Sequence, residues 1–438
     1  MASRPQSTAA AVASFIGTTI EWYDFYIYGL AAALVFGPLF FTGESTYIQT
    51  LSAFGTFAVG FFARPIGGLL FGHLGDRFGR KRILVVTLTM MGLATVLIGL
   101  LPTQAQAGIW APIGLVVLRV FQGIAVGGEW GGAVLLAAEH APKHRKTFFA
   151  SFAQLGSPAG LILSLLAFRA AGLFDQATFM SWGWRLPFLA SIVLLAVGMV
   201  IRLKIPETPE FEETRRLNQQ SAAPISEVLR EWRTPILLAL GANTFGIAAV
   251  YFFNTFMIAY TTQYLQIPRA TMLDALFWGA VVQFLVQPVA AKLAEVVRNE
   301  RLFLQLSLVW AIVMPYPLFM LVDTRNFPAI VAGLGLNIVG GGASYAVIAG
   351  YLAKVFPTRV RYTAISIAYQ FCGALAGGLT PVVGTMLAEH YQGAWLPLAI
   401  FASLLASVSL ICVTLIWRYR SEDKVTAAYS AAPVSAPS

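Results

Sequence analysis

The chain has 438 residues, of which 58% are hydrophobic and only 11% are charged. Soluble domains carry about 25% charged residues, so this composition excludes a soluble globular protein and indicates an integral membrane protein. The formal net charge is +9. The basic residues are placed along the chain as membrane topology requires, so this excess does not indicate a nucleic-acid partner. Cys372 and Cys412 both lie in apolar runs, which argues against a disulfide framework and against a metal site.

Twelve apolar runs are long enough to cross a bilayer as helices. The first six fall near residues 11–41, 48–71, 83–101, 109–138, 148–173 and 184–203. The other six fall near residues 235–262, 272–291, 302–322, 328–353, 363–388 and 395–417. The sequence therefore predicts an all-α polytopic membrane protein with twelve transmembrane helices in two six-helix halves.

A polar segment separates the two sets of spans and divides the chain into domains. We expect an N-terminal six-helix bundle over residues 1–205, a cytoplasmic linker over 206–234 and a C-terminal six-helix bundle over 235–417. Pro224 and Pro235 interrupt the linker, which is expected to form short surface helices. The tail, residues 418–438, is rich in Ala, Ser and Pro and is predicted to be disordered.

The basic residues alternate with the spans in a way that predicts the topology. Nearly all of them fall in loops on the side of the membrane that holds both termini, including the runs Arg80–Arg82 and Lys143–Lys146. Cytoplasmic loops of membrane proteins are enriched in Lys and Arg. Both termini are therefore predicted to be cytoplasmic, in a multi-pass protein of the inner membrane.

The two halves show weak internal similarity at an offset of about 215–219 residues. The stretch Pro142–Ser151 (PKHRKTFFAS) aligns with Pro357–Ser366 (PTRVRYTAIS), and each leads from a basic turn into a span. Two halves repeated in the same orientation predict a substrate path between them, near the middle of the membrane.

The fourth apolar run contains two charged residues, Arg119 and Glu129. A charge inside hydrocarbon costs about 2.5–3.5 kcal/mol on insertion scales, so such residues normally face a bundle interior or a water-filled path. We interpret them as functional groups, and the alternative is a buried ion pair that fixes helix packing. Small residues let another helix come close, and this run has five of them: Gly123, Gly127, Gly128, Gly131 and Gly132.

A glycine-rich basic stretch, Gly72–Arg82 (GHLGDRFGRKR), lies between the second and third predicted spans. It resembles the loop signature G-x-x-x-D-R-x-G-R-[RK] of the major facilitator superfamily, and it matches at Gly72, Asp76, Arg77, Gly79, Arg80 and Lys81. Further stretches are similar to the metabolite:proton symporter family: 20–25 (IEWYDF), 64–68 (RPIGG), 127–132 (GGEWGG), 182–187 (WGWRLP) and 207–211 (ETPEF). The resemblance runs from about Ala13 to Trp417 and points to the branch of shikimate transporters.

This resemblance implies the major facilitator fold and transport by alternating access. Members of the family carry shikimate, 2-oxoglutarate, citrate, or proline and betaine. We interpret the Gly72–Arg82 stretch as a gate rather than a binding site, in which Asp76 pairs with basic residues or caps a helix. Arg77 and Arg80 are expected to pair with acids such as Glu139, in a network that stabilises the outward-facing state of the family.

Two acids in the first predicted span, Glu21 and Asp24, lie well inside the membrane, counting about 1.5 Å per residue. Thr18 and Tyr28 share roughly the same stripe of the helix. Loss of water favours the neutral form of a carboxylic acid, which suits proton uptake and release, whereas a nearby arginine holds the acid ionised. Asp24 is the first candidate for the proton site, because Glu21 lies nearer the cytoplasmic end.

The first and fourth helices both line the path in this fold, so Asp24 is predicted to face Arg119. A charged Asp24 would neutralise Arg119, and a protonated Asp24 would free its planar fork of donors for an anionic substrate. The alternative is a structural bridge without coupling. Glu129 lies about 15 Å from Arg119 along the same helix, and it is either a second proton site or a packing residue.

The C-terminal half carries neutral polar and aromatic groups, and at the repeat offset Arg119 falls on Leu334. Such groups suit substrate hydroxyls or a ring, while Arg119 binds the carboxylate. Hydrogen bonding between helices is the alternative role. The candidates are Tyr28, Gln122 and Gln154 in the N-terminal half, and Asn243, Tyr251, Asn254, Gln283, Gln287, Asn337, Tyr345, Tyr369 and Gln370 in the C-terminal half.

These observations predict a proton-coupled symporter that imports a small carboxylated metabolite, such as a shikimate-like, dicarboxylic or aromatic acid. No cofactor is expected besides the proton as coupling ion, and the chain is expected to work as a monomer. The alternatives are a proton symporter of a zwitterionic osmolyte such as proline or betaine, and a membrane enzyme or receptor. An enzyme is disfavoured because the sequence offers no metal cluster, no nucleophile–base set and no phosphate-binding glycine loop.

Overall fold

The computed structural model describes residues 4–78, 80–127, 129, 146–204, 230–297, 299–353, 355–356 and 358–419. Within these ranges the chain is almost entirely helical and has no strand. Twelve of its helices are long and apolar enough to cross a membrane. The predicted all-α polytopic architecture is therefore confirmed.

Six membrane helices precede residue 205. They are α1 (which begins as Arg4–Ala31), α2 (Thr46–Phe78), α3 (Arg80–Leu100), α4 (Trp110–Gly127), α5 (Lys146–Ala171) and α6 (Leu186–Lys204). A short helix precedes α4 and another precedes α6: Gln104–Ala107 and Gln176–Ser181.

Six more membrane helices follow residue 230. They are α7 (which begins as Arg233–Tyr251), α8 (Arg269–Val297), α9 (Glu300–Val313 and Pro315–Asp323), α10 (Phe327–Ala353), α11 (which begins as Thr358–Cys372) and α12 (Trp395–Ile416). Because successive spans alternate in direction, α1 begins, α6 ends, α7 begins and α12 ends on one side of the membrane. We call this the linker side and the opposite one the far side.

Three of these membrane helices contain a π-helical turn. α1 continues through Ala32–Phe36 into Gly37–Phe40, α7 through Phe252–Phe256 into Met257–Gln263, and α11 through Gly373–Gly378 into Leu379–His390. The first two lie at equivalent places in the first helix of each half, in agreement with the internal repeat. π-Turns are rare in proteins overall, but those that occur are often at functional sites. These turns therefore indicate a functional site at the centre of the bundle.

The Gly72–Arg82 stretch differs from the loop that its motif suggests. α2 continues to Phe78 and α3 begins at Arg80, so the motif is helical on both sides of Gly79. α2 has 33 residues and is about 50 Å long, whereas the hydrocarbon core of a bilayer is about 30 Å thick. Its last turns therefore extend beyond the membrane as helix.

Helices α2 and α4 cross with their backbones in contact. A Cβ added to Gly67 would overlap a backbone carbonyl of α4, and one added to Gly123 or Gly127 would overlap backbone carbonyls of α2. The prediction that Gly123 and Gly127 admit a neighbouring helix is confirmed; Gly128, Gly131 and Gly132 lie outside the described residues. The crossing fixes the positions of Arg64 on α2 and Arg119 on α4.

The substitution Gly67→Ala is expected to destabilise the folded protein by about 1–3 kcal/mol, because the added methyl group meets backbone that has no room to move. The matched control is Gly55→Ala on the same helix, where nothing lies within 4 Å of the added Cβ. Thermal unfolding of the purified variants measures the difference. Equal melting temperatures for the two variants would contradict the close crossing.

Candidate functional site

Arg119 on α4 is completely buried, with 0% of its surface exposed. Its guanidinium carbon lies 4.1 Å from the ring centre of Tyr28 and 4.7 Å from that of Phe25, within the range of cation–π attraction. Gly60 on α2 leaves room for it, because a Cβ there would overlap its Nε. Nη1 donates a hydrogen bond to Gln122 Oε1 at 3.0 Å, while Nε and Nη2 have no partner. Arg119 is thus a buried cation with unused donors.

A second buried guanidinium group, that of Arg64 on α2, lies beside it. Arg64 is 4% exposed, and its guanidinium carbon lies 4.1 Å from the ring centre of Phe25 and 4.0 Å from that of Phe61. Phe25 therefore contacts both arginines. The Nε of Arg64 has no hydrogen-bond partner, and no described carboxylate lies within 4.0 Å of either guanidinium group. Arg64 lies inside the second apolar run, so the rule that identifies Arg119 in the sequence also identifies it.

Asp24 does not form the predicted ion pair with Arg119. Its Oδ1 accepts a hydrogen bond from Ser191 Oγ on α6 at 2.8 Å, and its Oδ2 has no partner. Asp24 is turned toward α6 and toward Thr95 on α3, whereas aromatic rings hold Arg119 against α1 and α2. Gln122 connects the two regions, since it accepts a bond from Arg119 and donates one from Nε2 to Thr95 Oγ1 at 2.7 Å. The predicted direct bridge is wrong for this conformation and is replaced by a chain of polar groups.

Glu129 has a partner that the sequence does not suggest. Its Oε1 accepts a short hydrogen bond from Nη2 of Arg202, near the end of α6. The two side chains are 1% and 11% exposed. By sequence Arg202 belongs with the basic residues at the membrane edge, but its side chain reaches into the bundle. The geometry favours the packing role of Glu129, because an ion pair holds its carboxylate.

Glu21 on α1 completes a group of buried charges. It is 5% exposed, its Oε2 has no hydrogen-bond partner, and the Glu129–Arg202 pair and Arg64 are among its charged neighbours. In the described part of the N-terminal half, three buried acids therefore lie near three arginines, of which Arg202 is 11% exposed. This buried charge cluster, which is neutral when every group is ionised, consists of Glu21, Asp24, Glu129, Arg64, Arg119 and Arg202.

The C-terminal half contains a cavity of about 40 Å³ between α7, α8 and α10. Its polar lining residues are Asn254, Gln283, Asn337 and Tyr345. Asn337 Oδ1 has no hydrogen-bond partner among the described residues, so this largely apolar cavity offers a free acceptor and has room for about three water molecules. The structure brings these four predicted neutral groups together.

Tyr251 on α7 connects this cavity to the buried arginines. It follows Val250, which lines the cavity, and its ring lies 4.8 Å from that of Phe61, 5.4 Å from that of Phe57 and 6.1 Å from that of Trp22. The hydroxyl of Tyr251 is buried and lies close to the guanidinium group of Arg64. Tyr251 is therefore the group of the C-terminal half that packs on the rings around the arginines.

Three of the other predicted neutral groups form hydrogen bonds between helices: Tyr28, Tyr369 and Gln370. Tyr28 donates to Thr56 Oγ1 at 2.8 Å, which orients its ring for Arg119. The hydroxyl groups of Tyr345 and Tyr369 lie 3.1 Å apart. Gln370 Nε2 donates to the carbonyl oxygen of Gly127 at 3.0 Å and so links the two halves. Three further candidates are buried in their helices: Gln154, Asn243 and Gln287.

The gate motif lies where α2 ends and α3 begins. Gly72, Asp76 and Arg77 belong to α2, while Arg80 and Lys81 open α3. Gly79 and Glu139 lie outside the described residues, so the pairing of Arg77 and Arg80 with Glu139 stays a prediction.

The two halves contact each other toward both sides of the membrane. Toward the far side, Gln263 Nε2 donates to Thr50 Oγ1 at 2.7 Å, and Arg169 Nη1 lies 2.9 Å from Asp274 Oδ1. Toward the linker side, the ring of Phe15 lies 6.3 Å from that of Phe284. The described parts of the two halves are therefore in contact near both sides of the membrane.

We expect Glu129→Gln and Arg202→Gln each to destabilise the protein by about 3–5 kcal/mol, because each leaves a buried charge without its partner. The double variant removes both charges and is expected to recover most of the loss. Thermal unfolding of the three purified variants checks this. A double variant that is as unstable as the sum of the single variants would contradict the ion pair.

Two family models match the chain, one in each half. Residues 9–235 match the model described as "Sugar (and other) transporter", and residues 244–437 match the model described as "Major Facilitator Superfamily".

Individual proteins match over nearly the whole chain. The shikimate transporter of Escherichia coli (strain K12) is 37% identical over 418 residues, which cover 94% of each chain. The proline/betaine transporter of the same strain is 33% identical over 412 residues, or 92% of this chain and 82% of that one. The partially occluded inward-open conformation of the xylose transporter XylE from E. coli has the same fold, with a TM-score of 0.73 and 15% identity over 95% of this chain and 98% of that chain.

Proposed function

We propose, since this chain belongs to the major facilitator superfamily of membrane transporters, that it is a proton-coupled symporter that imports a small carboxylated metabolite. The relatives are named as transporters and the fold is a transporter fold, so the chain is a multi-pass membrane transporter and not an enzyme. The proposal adds the proton as the coupling ion and a carboxylate on the substrate. It also adds inward transport, a bacterial inner membrane as the location, and a monomer as the functional unit.

Two buried guanidinium groups that no described carboxylate contacts carry this proposal. A buried charge costs several kcal/mol unless it is paired, and both Arg64 and Arg119 leave donor nitrogens unused. The planar fork of a guanidinium group matches a carboxylate. A substrate carboxylate would therefore supply the close hydrogen-bonding partner that the two guanidinium groups lack among the described residues.

The neutral groups of the C-terminal half suit the rest of such a substrate. Asn254, Asn337 and Tyr345 line one cavity whose other walls are mostly apolar, and a few amide and hydroxyl groups in an apolar cavity fix the orientation of a ligand that carries hydroxyls. A shikimate-like acid combines a carboxylate with hydroxyl groups on a ring. The similarity to a shikimate transporter supports this class of substrate.

The buried charge cluster gives a reason for proton coupling. Its three acids and three arginines sum to zero when all are ionised, so a bound carboxylate would add an uncompensated negative charge inside the membrane. Uptake of one proton restores neutrality. Asp24 and Glu21 each have a carboxyl oxygen without a partner that can accept it. Substrate and proton then strengthen each other's binding by reciprocal linkage.

Transport of a zwitterionic osmolyte is the second candidate function. The similarity to the proline/betaine transporter favours it, and the stacked rings of Trp22 and Tyr251 suit a quaternary ammonium group. Against it, Arg64 and Arg119 are two cations that would repel the positive end of betaine. A carboxylate without a neighbouring positive charge fits them better.

The function is tested by uptake into vesicles that contain the full chain. The panel of compounds is shikimate, 2-oxoglutarate, citrate, an aromatic acid and betaine, each with and without an imposed pH gradient. We expect accumulation of at least one carboxylic acid against its concentration gradient when the outside is acidic. If betaine is the best substrate, the result favours transport of a zwitterionic osmolyte. If the pH gradient changes neither the rate nor the extent of uptake, the result contradicts proton coupling.

The substitution Asp24→Asn is expected to abolish accumulation driven by the pH gradient while it leaves exchange of internal for external substrate at least partly intact. Asn resembles the protonated acid but releases no proton. The matched control is Asp175→Asn, an exposed acid that caps a short helix by accepting from the Thr178 N–H at 3.0 Å, a role that Asn also performs. Full proton-driven accumulation by the Asp24→Asn variant would exclude Asp24 as the proton site.

A further inference from the structure

The two buried arginines differ in which half of the protein they face. The ring and hydrogen-bond contacts of Arg119 come from the N-terminal half: Phe25 and Tyr28 of α1, Phe57 of α2, and Gln122 of its own helix. These groups cover its guanidinium group on several sides, and the residue is 0% exposed. Movement of the C-terminal half alone therefore leaves Arg119 covered.

Arg64 lies instead where the two halves meet. Its Nη1 lies 3.7 Å from the position that a Cβ would take at Gly373, in the π-helical turn of α11. Its second ring, Phe61, touches the same turn, since a Cβ at Gly377 would lie 3.0 Å from Phe61 Cε1 and 3.2 Å from Tyr251 Cε2. Between Gly373 and Gly378, α11 thus covers Arg64 largely with backbone and small side chains.

Alternating access moves one half against the other around a central site. When α11 withdraws, the guanidinium group of Arg64 becomes exposed to the path, while Phe25 and Tyr28 still cover Arg119. Phe25 lies against both arginines, at 4.1 Å and 4.7 Å from their guanidinium carbons. Arg119 therefore adds positive charge behind this ring without reaching the path.

We propose that Arg64 is the residue that binds the carboxylate of the transported acid, and that Arg119 is a positioning residue that strengthens the site from behind Phe25. This inference rests on the proposed transport of a carboxylate. It adds a substrate-binding residue and an order of approach: the carboxylate meets the guanidinium fork of Arg64 at the interface with α11. The neutral groups of α7 and α10 then face the rest of the molecule.

Competition between an acid and its ester tests the proposal. The purified full chain in proteoliposomes exchanges labelled shikimate at equal pH on both sides, and unlabelled shikimate or its methyl ester competes. A charge-assisted hydrogen bond contributes about 1.5–3 kcal/mol, so the acid should compete at least about tenfold better than the ester in the unmodified protein. Arg64→Gln should reduce this advantage to about threefold or less, and Arg64→Lys should keep part of it. Arg119→Gln should slow exchange but preserve the preference for the acid.

Retention of the full acid preference by Arg64→Gln, or its loss in Arg119→Gln alone, would overturn the assignment. A second measurement does not depend on the choice of acid. In a background where Cys372 and Cys412 are replaced by Ser, Arg64→Cys should react with a water-soluble, membrane-impermeant methanethiosulfonate, whereas Arg119→Cys should not. Labelling of Arg119→Cys without labelling of Arg64→Cys would also overturn it. If the unmodified chain carries no acid of the panel while Arg64→Cys is labelled, the proposed substrate class fails and the position of Arg64 on the path stands.

Discussion

The N-terminal half depends on one constraint: positive charge must be kept inside the membrane where two helices touch through their backbones. Gly67, Gly123 and Gly127 bring α2 and α4 together so closely that a methyl group does not fit between them. This crossing carries Arg64 on one helix and Arg119 on the other, and both stack on the ring of Phe25. Aromatic faces attract the two cations without neutralising them. The two guanidinium groups therefore still lack a carboxylate in direct contact among the described residues.

The two halves contribute different chemical groups to recognition of the substrate. Among the described residues, the N-terminal half holds the buried acids and arginines, and the C-terminal half presents amides, tyrosines and a small cavity. The π-turns of α1, α7 and α11 lie on the helices that face each other across this boundary. A substrate with a charged end and hydroxyl groups fits such a division, because each end meets groups of matching chemistry.

The number and type of the membrane helices could be predicted because a bilayer leaves few choices: a long apolar run has to satisfy its own backbone as a helix. Arg119 and Glu129 could be found because charge in such a run is rare. Arg64 obeys the same rule, because it too is a charged residue inside an apolar run, although its stretch also resembles a family motif. The partners of these charges depend on how each helix is rotated and packed. The pairing of Glu129 with Arg202 and the hydrogen bond from Ser191 to Asp24 therefore have no signal in a single sequence.

The balance of buried charges is the central claim, and counting protons tests it most directly. Proteoliposomes that contain the purified chain and an internal pH-sensitive dye report the protons that enter with labelled shikimate, while potassium and valinomycin set the membrane potential. The account predicts one proton for each monocarboxylate and an uptake rate that does not change with the membrane potential, because the loaded cluster carries no net charge. Entry of shikimate without protons, or uptake that the membrane potential drives at equal pH, would contradict it.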